Sequence, residues 1–251
     1  MNSIITGKNI MKIFGSGKEQ TKVLSGVNVE IEKGEFVAVM GPSGSGKSTL
    51  LFALSGMDEI TSGSVIVNGT ELTKLCDKDL ADLRRTKMGF VFQQPTMLKN
   101  LNLLDNILLP ALGEKKDKPK LTQMAKALMR KTGIAGLENR DTKEVSGGQL
   151  QRAGICRALM NAPEILFADE PTGALDSKSA EEIMELLVNI NKEGTAILLV
   201  THDAKVAARA DRVLFTKDGK IVSELQLKKS GGSDMEARGK KVLTKMAAVG
   251  I

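Results

Sequence analysis

The sequence predicts an α/β fold in which a parallel sheet forms the core. Short, largely apolar runs have the length and composition of buried parallel strands; they lie at residues 36–40, 88–92, 165–168 and 195–201. Strands predicted at residues 4–14 and 27–31 come first and, with a polar turn between them, form antiparallel material. A helical period dominates residues 101–160, between two sheet segments. An inserted helical subdomain explains that block.

Length and composition are those of an ordinary globular chain. Its 251 residues are 41% hydrophobic and 26% charged, which suffices for a substantial core in one domain or in a domain with a subdomain. Aromatic residues make up 3% of the chain, with no Trp or Tyr, so side chains on which bases could stack are scarce. This scarcity counts against a nucleic-acid-binding protein.

The formal net charge is +6, but many lysines fall in residues 115–120 and in the tail after Lys228. These lysines indicate either a solvated face or a docking patch. Cys76 and Cys156 match no metal or redox spacing, so we expect two reduced thiols in a cytosolic chain. No apolar run approaches the roughly 20 residues of a membrane-spanning helix, and residues 1–3 begin no signal peptide.

The loop after the run at residues 36–40 has the composition of a phosphate-binding loop. Its residues are Gly41, Pro42, Ser43, Gly44, Ser45, Gly46, Lys47 and Ser48, and Thr49 continues into a helix. Glycines allow backbone N–H groups to point at phosphate oxygens, and the helix presents its positive end to the same anion. Lys47 is expected at the β- and γ-phosphate oxygens, and Ser48 as a ligand of Mg²⁺. The sequence therefore predicts a nucleoside triphosphate site.

Several further residues and elements are predicted from the segments that adjoin them in the chain. Phe14, one of seven phenylalanines, precedes the first polar turn; its ring could stack on a base, and a place in the core is the alternative. Residues 63–69 predict a short strand that closes on an Asn-Gly turn, and residues 72–85 predict a helix. The strand at residues 88–92 ends in Gln93, an uncharged amide that can contact a metal or a water.

Helices are predicted within the helical block at residues 101–112, at residues 121–132 and after Ser146. Ser146 is placed as the N-cap of the last of these helices. The residues that follow it are Gly147, Gly148 and Gln149. Two glycines beside exposed helix N–H groups make a second anion site. The sequence thus predicts two phosphate-binding sites in one chain.

Two adjacent carboxylates follow the apolar run at residues 165–168. At the carboxyl end of a strand, Asp169 is expected to hold Mg²⁺, and Glu170, on the other side, to orient the attacking water; a solvated acidic turn is the alternative. His202, the only histidine, ends the strand at residues 195–201. It is expected to contact the γ-phosphate, although a lone histidine can also be structural.

In their order, these motifs resemble those of the ATP-binding subunit of an ABC transporter, over residues 1–225. The resemblance implies Walker A at residues 41–48, the Q-loop glutamine at Gln93, the signature at residues 146–149, Walker B at residues 165–169, the catalytic glutamate at Glu170, the D-loop ending in Asp176, and the switch histidine at His202. It also implies the cofactors ATP and Mg²⁺, the latter on Ser48, Gln93 and Asp169. Two positions depart from the family pattern: Val145 replaces the usual Leu, and Phe14 stands where an aromatic residue, often Tyr, stacks on adenine.

The fold implied by the resemblance is a P-loop NTPase (RecA-like) core with an antiparallel β-subdomain and an inserted α-helical subdomain. Residues 1–227 would form the ATPase domain, with the helical subdomain at about 96–160, and residues 228–251 a C-terminal extension. Beyond a Gly-Gly linker, the extension carries a helical stripe of Met235, Gly239, Val242, Leu243 and Met246. The stripe suggests docking to a partner or to the chain's own body, and a flexible tail is the alternative.

A finer likeness is carried by residues 89–93, 106–110 and 167–180. These segments are similar to the branch of macrolide exporters, lipoprotein-release and cell-division ATPases, and within it to the bacitracin-resistance type that works against antimicrobial peptides. The resemblance implies two head-to-tail copies that close around two ATP molecules, with an integral membrane permease as partner at the cytoplasmic face of the plasma membrane. No nucleic-acid partner is expected.

Two other classes of protein are alternatives. A soluble ABC ATPase that acts on DNA or ribosomes usually carries two cassettes or a long coiled-coil insertion, and this sequence has neither. A non-catalytic nucleotide-binding scaffold would lack Glu170 or His202, and both are present. The sequence does not identify the cargo, because a permease would recognise it.

Overall fold

The computed structural model describes residues 3–17, 19–112, 117–227 and 235–251. The strands are β1 (Ser3–Phe14), β2 (Thr21–Glu32), β3 (Phe36–Met40), β4 (Ser62–Val67), β5 (Thr70–Glu71), β6 (Met88–Phe92), β7 (Ile165–Asp169), β8 (Ala196–Val200), β9 (Arg212–Lys217) and β10 (Lys220–Gln226). The α-helices are α1 (Lys47–Leu54), α2 (Asp77–Lys87), α3 (Leu103–Leu108), α4 (Lys118–Lys131), α5 (Gly147–Leu159), α6 (Ser177–Lys192), α7 (Ala204–Ala207) and α8 (Met235–Ala248).

The described residues form two sheets. A four-stranded antiparallel sheet has the order β2-β1-β4-β5, and a six-stranded sheet has the order β10-β9-β3-β8-β7-β6. In the larger sheet all neighbouring strands pair in parallel except the edge strand β10. Its central strands β3 and β8 are buried at every position, which explains their continuous apolar runs. Because parallel strands end together, the loops that follow β3, β6, β7 and β8 lie at one edge of the sheet.

Within the part of the chain that the structure describes, three apolar clusters hold these layers together. One lies between the two sheets and includes Leu50, Leu51 and Leu54 of α1. A second lies on the opposite face of the large sheet, where α6 buries Ile183 and Leu187. Each such side chain contributes about 1.5–3 kcal/mol when fully buried. The third cluster is made by α3, α4 and α5, so the inserted helices have an apolar core of their own.

The predicted helix boundaries are wrong at two places. Residues 72–85 do not form one helix: a 3₁₀ turn at Leu72–Lys74 is followed by an extended Leu75, and α2 begins only at Asp77. The helix was predicted from the spacing of four leucines, which all reach the same apolar cluster although Leu72 does so from the turn: Leu72, Leu75, Leu80 and Leu83. The helix predicted at residues 101–112 is shorter, because α3 ends at Leu108 and a 3₁₀ turn containing Pro110 follows.

The C-terminal helix α8 packs on the body of the same chain. Val242 is fully buried against the cluster beneath α7, and Met246 also packs there. Arg238 donates hydrogen bonds to the carbonyl oxygens of Ala208 and Ala210 at 2.6 Å each. Leu243, expected on the same stripe, is 55% exposed. The Gly-Gly linker before α8 lies outside the described residues.

No helix within the described ranges is both long enough and apolar enough to cross a bilayer.

Candidate active site

Polar side chains from four loops meet at the carboxyl edge of the large sheet. The phosphate-binding loop follows β3, Gln93 follows β6, Glu170 follows β7 and His202 follows β8. Open α/β sheets bind ligands at this edge, where the loops form a crevice. The sheet order therefore brings together residues that are far apart in the chain.

The loop of residues 41–48 has the backbone that its glycines allow. Gly46 caps α1 with φ +91°, and a Cβ there would approach the carbonyl oxygen of Val23 to 2.8 Å. Lys47 Nζ donates to the carbonyl oxygens of Gly41 and Pro42, both at 2.9 Å. The lysine is thus folded over its own loop, at the positive end of the helix. Among the other predicted loop residues, Ser45 is buried, Thr49 is half-buried, and Ser43 and Gly44 are exposed.

Ser48 and Asp169 form a pair that joins the helix to the end of β7. Ser48 Oγ donates to Asp169 Oδ1 at 2.9 Å. Burial raises the pKa of Asp169, the Ser48 hydrogen bond opposes this, and the charge of Glu170 raises the pKa further. A half-buried carboxylate with an unfavourable charge beside it is a suitable ligand for a cation. No group of three or more His, Cys, Asp or Glu side chains that could hold a metal occurs in the described part of the chain. The pair therefore fits Mg²⁺ that arrives with phosphate oxygens as further ligands.

Glu170 and His202 form a second pair, separate from the first. Glu170 Oε1 lies 2.8 Å from His202 Nδ1, and the histidine ring is exposed. Glu170 has a left-handed backbone with φ +47°, a conformation that costs roughly 1–2 kcal/mol in a non-glycine residue. Its N–H donates to the carbonyl oxygen of Val200 at 3.0 Å, which holds the strained residue against β8. The two adjacent carboxylates thus have different partners.

Gln93 lies beside the turn that follows Glu170. A Cβ built at Gly173 would approach Gln93 Nε2 to 2.8 Å, and Gly173 N–H donates to the carbonyl oxygen of Glu170 at 3.0 Å. Within the described residues no hydrogen bond joins Gln93 to Ser48 or Asp169. In this structure Gln93 therefore contacts the segment that positions Glu170, and the Ser48–Asp169 pair forms without it.

The signature segment begins α5 and faces the start of α6. Ser146 and Gln149 form a capping box: Ser146 N–H donates to Gln149 Oε1 at 2.9 Å, and Gln149 N–H to Ser146 Oγ at 3.3 Å. A Cβ at Gly148 would approach Ser179 Oγ to 3.0 Å, and one at Gly147 would lie 3.6 Å from Leu175. The two glycines thus allow α5 to lie close to the D-loop.

Asp176 of the D-loop caps α6. Its carboxylate accepts hydrogen bonds from the N–H groups of Lys178 and Ser179, at 3.1 and 3.0 Å, and from Ser179 Oγ at 2.7 Å. The hydrogen bond from the Ser179 backbone is the main cause that lowers the pKa of Asp176. The D-loop carboxylate therefore has a structural role within the chain.

Phe14 ends β1 with its side chain 44% exposed, so it is not a core residue. Lys12 Nζ lies 4.6 Å from the centre of its ring. Lys12 was not predicted as a site residue, although residues two apart in a strand share a face of the sheet. Nor was Gln151, whose Nε2 donates to the carbonyl oxygen of Phe92 at 2.9 Å and so ties α5 to the strand before Gln93.

These elements occur in the order of a known family. The family model described as "ABC transporter" matches residues 24–173. The chain belongs to the ABC transporter family. It is an ATP-binding ABC ATPase, as its recognised motifs and its relatives indicate.

The curated relatives of this ABC ATPase include two kinds of export protein. It is 42% identical over 224 residues to the bacitracin export ATP-binding protein BceA of Halalkalibacterium halodurans, covering 89% of this chain and 88% of that protein. It is 45% identical over 224 residues to the macrolide export ATP-binding/permease protein MacB of Mannheimia succiniciproducens. That match covers 89% of this chain but 35% of MacB, so the chain spans about a third of the length of this relative.

Solved structures confirm the predicted fold class. The ATP-binding cassette MJ0796, described as a dimer in a post-hydrolysis state bound to ADP and Pi, matches with a TM-score of 0.83 at 38% identity. The match covers 90% of this chain and all of that chain. The α/β architecture, with one antiparallel and one mainly parallel sheet, is that of an ABC ATPase cassette.

Proposed function

We propose that this ABC ATPase drives a membrane permease by closing, as a pair of copies, around two ATP molecules. One observation carries the proposal: the Ser48–Asp169 pair and the Glu170–His202 pair are separate, and both lie at the edge of the sheet that holds the phosphate-binding loop. A metal-holding pair and a base-holding pair beside one anion site are the parts that phosphoryl transfer to water requires.

The first part of the mechanism is binding. Backbone N–H groups of residues 41–48 and Lys47 would hold the β- and γ-phosphates, and Phe14 would stack on the adenine. Ser48 and Asp169 would hold the Mg²⁺ that accompanies ATP, with Gln93 as a further ligand once it moves from Gly173. When bound, the metal supplies positive charge that neutralises the phosphate oxygens.

Hydrolysis requires a base for the attacking water. Glu170 would accept a proton from the attacking water. As it does so, the water oxygen would bond to the γ-phosphorus, and the bond between the γ-phosphorus and the β–γ bridging oxygen would break. His202, paired with Glu170 Oε1, would orient that carboxylate and contact the γ-phosphate. The rigid backbone around Glu170 supports this role, because a strained residue kept in place by its neighbours is already oriented for the reaction.

The second anion site completes the proposal. Ser146, Gly147, Gly148 and Gln149 begin a helix whose N-terminus lies on the chain's own α6, not on its own phosphate-binding loop. A second copy, arranged head to tail, would place this segment against the γ-phosphate of the ATP held by the first copy. ATP would then hold the two copies together, and its hydrolysis would release them.

Movement at the site would reach the inserted helices through β6 and α5. Gln151 of α5 donates a hydrogen bond to the carbonyl oxygen of Phe92, immediately before Gln93.

We assign residues 1–227 to the ATPase domain, the inserted helices to a subdomain at about 96–160, and residues 228–251 to an extension. The separate apolar core of α3, α4 and α5 supports the assignment of the subdomain.

The proposed cargo is a peptide antibiotic, moved by an integral membrane permease. The ATPase itself would bind this permease peripherally, at the cytoplasmic face of the plasma membrane. The name of BceA supports a peptide cargo, because it is a bacitracin export protein and bacitracin is a peptide antibiotic. MacB, a macrolide export protein, supports antibiotic export in general, since a macrolide is not a peptide. A lipoprotein-release or cell-division partner is the alternative within the family. The proposal includes no nucleic-acid partner.

Affinity purification of the tagged protein from detergent-solubilised membranes of its own organism tests the proposal. A permease should co-purify, and addition of its cargo should raise ATP hydrolysis by the complex. Co-purification of ribosomes or nucleic acid in place of a permease would contradict it and support the soluble ABC ATPase class.

A further inference from the structure

We propose that Lys12 is a positioning residue that orients Phe14 for adenine and connects it to the helix that begins at the phosphate-binding loop. The inference rests on the proposed function, in which Phe14 stacks on the base of ATP. Lys12 lies outside the family motifs.

Lys12 and Phe14 lie two residues apart on β1, so their side chains share one face of the strand. Lys12 is 9% exposed and Phe14 is 44% exposed. The Lys12 ammonium lies 4.6 Å from the centre of the Phe14 ring, within the range of a cation–π contact. A buried cation thus supports a ring that is still open enough to receive a base.

Two oxygens hold the ammonium in place. Lys12 Nζ donates to Asp58 Oδ1 and to the carbonyl oxygen of Glu59, both at 2.6 Å. An ammonium has three N–H donors, so one remains available to the ring. Because both oxygens come from one short segment, the position of the lysine is set by the position of that segment.

The segment that holds Lys12 is itself attached to the phosphate-binding helix. The N–H groups of Met57 and Asp58 donate to the carbonyl oxygen of Phe52 in α1, at 2.9 and 3.2 Å. Thr61 connects it to β1, because Thr61 N–H donates to the Met11 carbonyl oxygen at 2.8 Å and Thr61 Oγ1 accepts from Ile13 N–H at 2.9 Å. Since α1 starts at Lys47, the Phe14 ring and the phosphate-binding loop are joined by a continuous series of contacts.

This connection predicts an effect that depends on the base. The charge of Lys12 is compensated by Asp58 at 2.6 Å, so its attraction for distant phosphates is weak. Orientation of the ring, in contrast, matters only to a ligand that has a base to stack. Loss of Lys12 should therefore weaken ATP binding and leave tripolyphosphate binding unchanged.

The experiment is a double-mutant cycle between Lys12→Met and Phe14→Ala, with dissociation constants for Mg-ATP and tripolyphosphate measured by calorimetry on the full chain. Lys12→Met should weaken ATP binding by about two- to fivefold, the range of one cation–π contact to a ring that is open to solvent. It should raise KM without lowering kcat at saturation, and it should have no further effect when Phe14 is already Ala. Lys8→Met is the matched control, because Lys8 is an exposed lysine of the same strand and should leave both affinities unchanged.

An equal weakening for ATP and tripolyphosphate, an effect that persists in the Phe14→Ala background, or no effect at all would overturn the inference. If Lys12→Met does not fold, Asp58→Asn tests the same connection from the other side, at a carboxylate that is 31% exposed. It should weaken ATP binding in the same base-dependent way, and unchanged ATP binding would again overturn the inference. Failure of the proposed stacking on Phe14 is a different result, because Phe14→Ala alone would then leave ATP binding unchanged.

Discussion

Glu170→Gln is expected to lower ATP turnover by about 10²–10⁴-fold, the contribution of a general base, which corresponds to about 2.7–5.5 kcal/mol in the activation free energy. The structure explains why the effect should be confined to the chemical step. Glutamine has the same shape as glutamate, and its amide oxygen can still accept from His202 Nδ1 across the 2.8 Å contact. Asp169 keeps its own partner, Ser48, so the pair proposed to hold Mg²⁺ is unchanged. ATP binding should therefore survive, and the altered protein should accumulate as an ATP-dependent dimer.

The assay measures phosphate release at saturating Mg-ATP, together with ATP affinity and size-exclusion chromatography. Glu181→Gln is the matched control: Glu181 borders the same cavity of about 770 Å³ as Glu170 and His202, but its carboxylate pairs with Arg209. Its turnover should stay close to that of the unaltered chain. Unchanged hydrolysis in Glu170→Gln, or an equal loss in both variants, would refute the assignment of Glu170 as the base.

Three further predictions address Phe14 as the residue on which adenine would stack, the proposed composite sites, and Asp169 of the pair proposed to hold Mg²⁺. Phe14→Ala should weaken ATP binding by about 1–3 kcal/mol with saturated turnover nearly intact, and equal weakening for tripolyphosphate would show that no base stacks there. Lys47→Ala and Ser146→Arg should each inactivate the protein, yet a mixture should recover up to roughly a quarter of normal hydrolysis, because each mixed dimer keeps one intact site; crosslinked mixed dimers that occlude no nucleotide would contradict composite sites. Burial raises the pKa of Asp169 above its ordinary 3.8, so the folded protein binds a proton there more readily than the unfolded chain does. The Asp169 carboxylate therefore lowers the free energy of unfolding as the pH rises from 3.8 through the folded pKa. Asp169→Asn should thus raise the melting temperature of the nucleotide-free protein at pH 7 by calorimetry, with a difference that shrinks below the ordinary pKa, and a lower melting temperature at pH 7 would refute this.

Where the local structure depends on neighbouring residues, the sequence was a good guide. The phosphate-binding loop could be predicted because glycines at positions 41, 44 and 46, between an apolar strand and a helix, allow the backbone conformations in which N–H groups point at an anion. The N-cap at Ser146 followed from local hydrogen bonding, and the structure has the capping box there. The helix boundaries at residues 72–85 were wrong, because leucine spacing alone does not distinguish a continuous helix from a turn whose leucines reach the same apolar cluster.

The surface on which the extension after residue 227 docks could be identified only from the tertiary structure. A helical stripe predicted a surface that docks, but the sequence left its target open. The structure buries Val242 against the chain's own body and leaves Leu243 exposed, because the docked face is set by the shape of the surface beneath α7. Periodicity identifies an apolar side of a helix without identifying what covers it.

By itself, the sequence determined the family, the α/β fold class and the residue types at each motif, since these depend on short segments whose order is preserved along the chain. Only the tertiary structure decided which of those residues meet. Asp169 contacts Ser48 and Glu170 contacts His202 because β3, β8 and β7 are neighbours in one parallel sheet, an order that differs from their order in the chain. Lys12 reaches Asp58, Glu59 and Phe14 together only because β1 lies beside the segment after α1. Such contacts arise from the packing of distant segments, and no local pattern of residues specifies them.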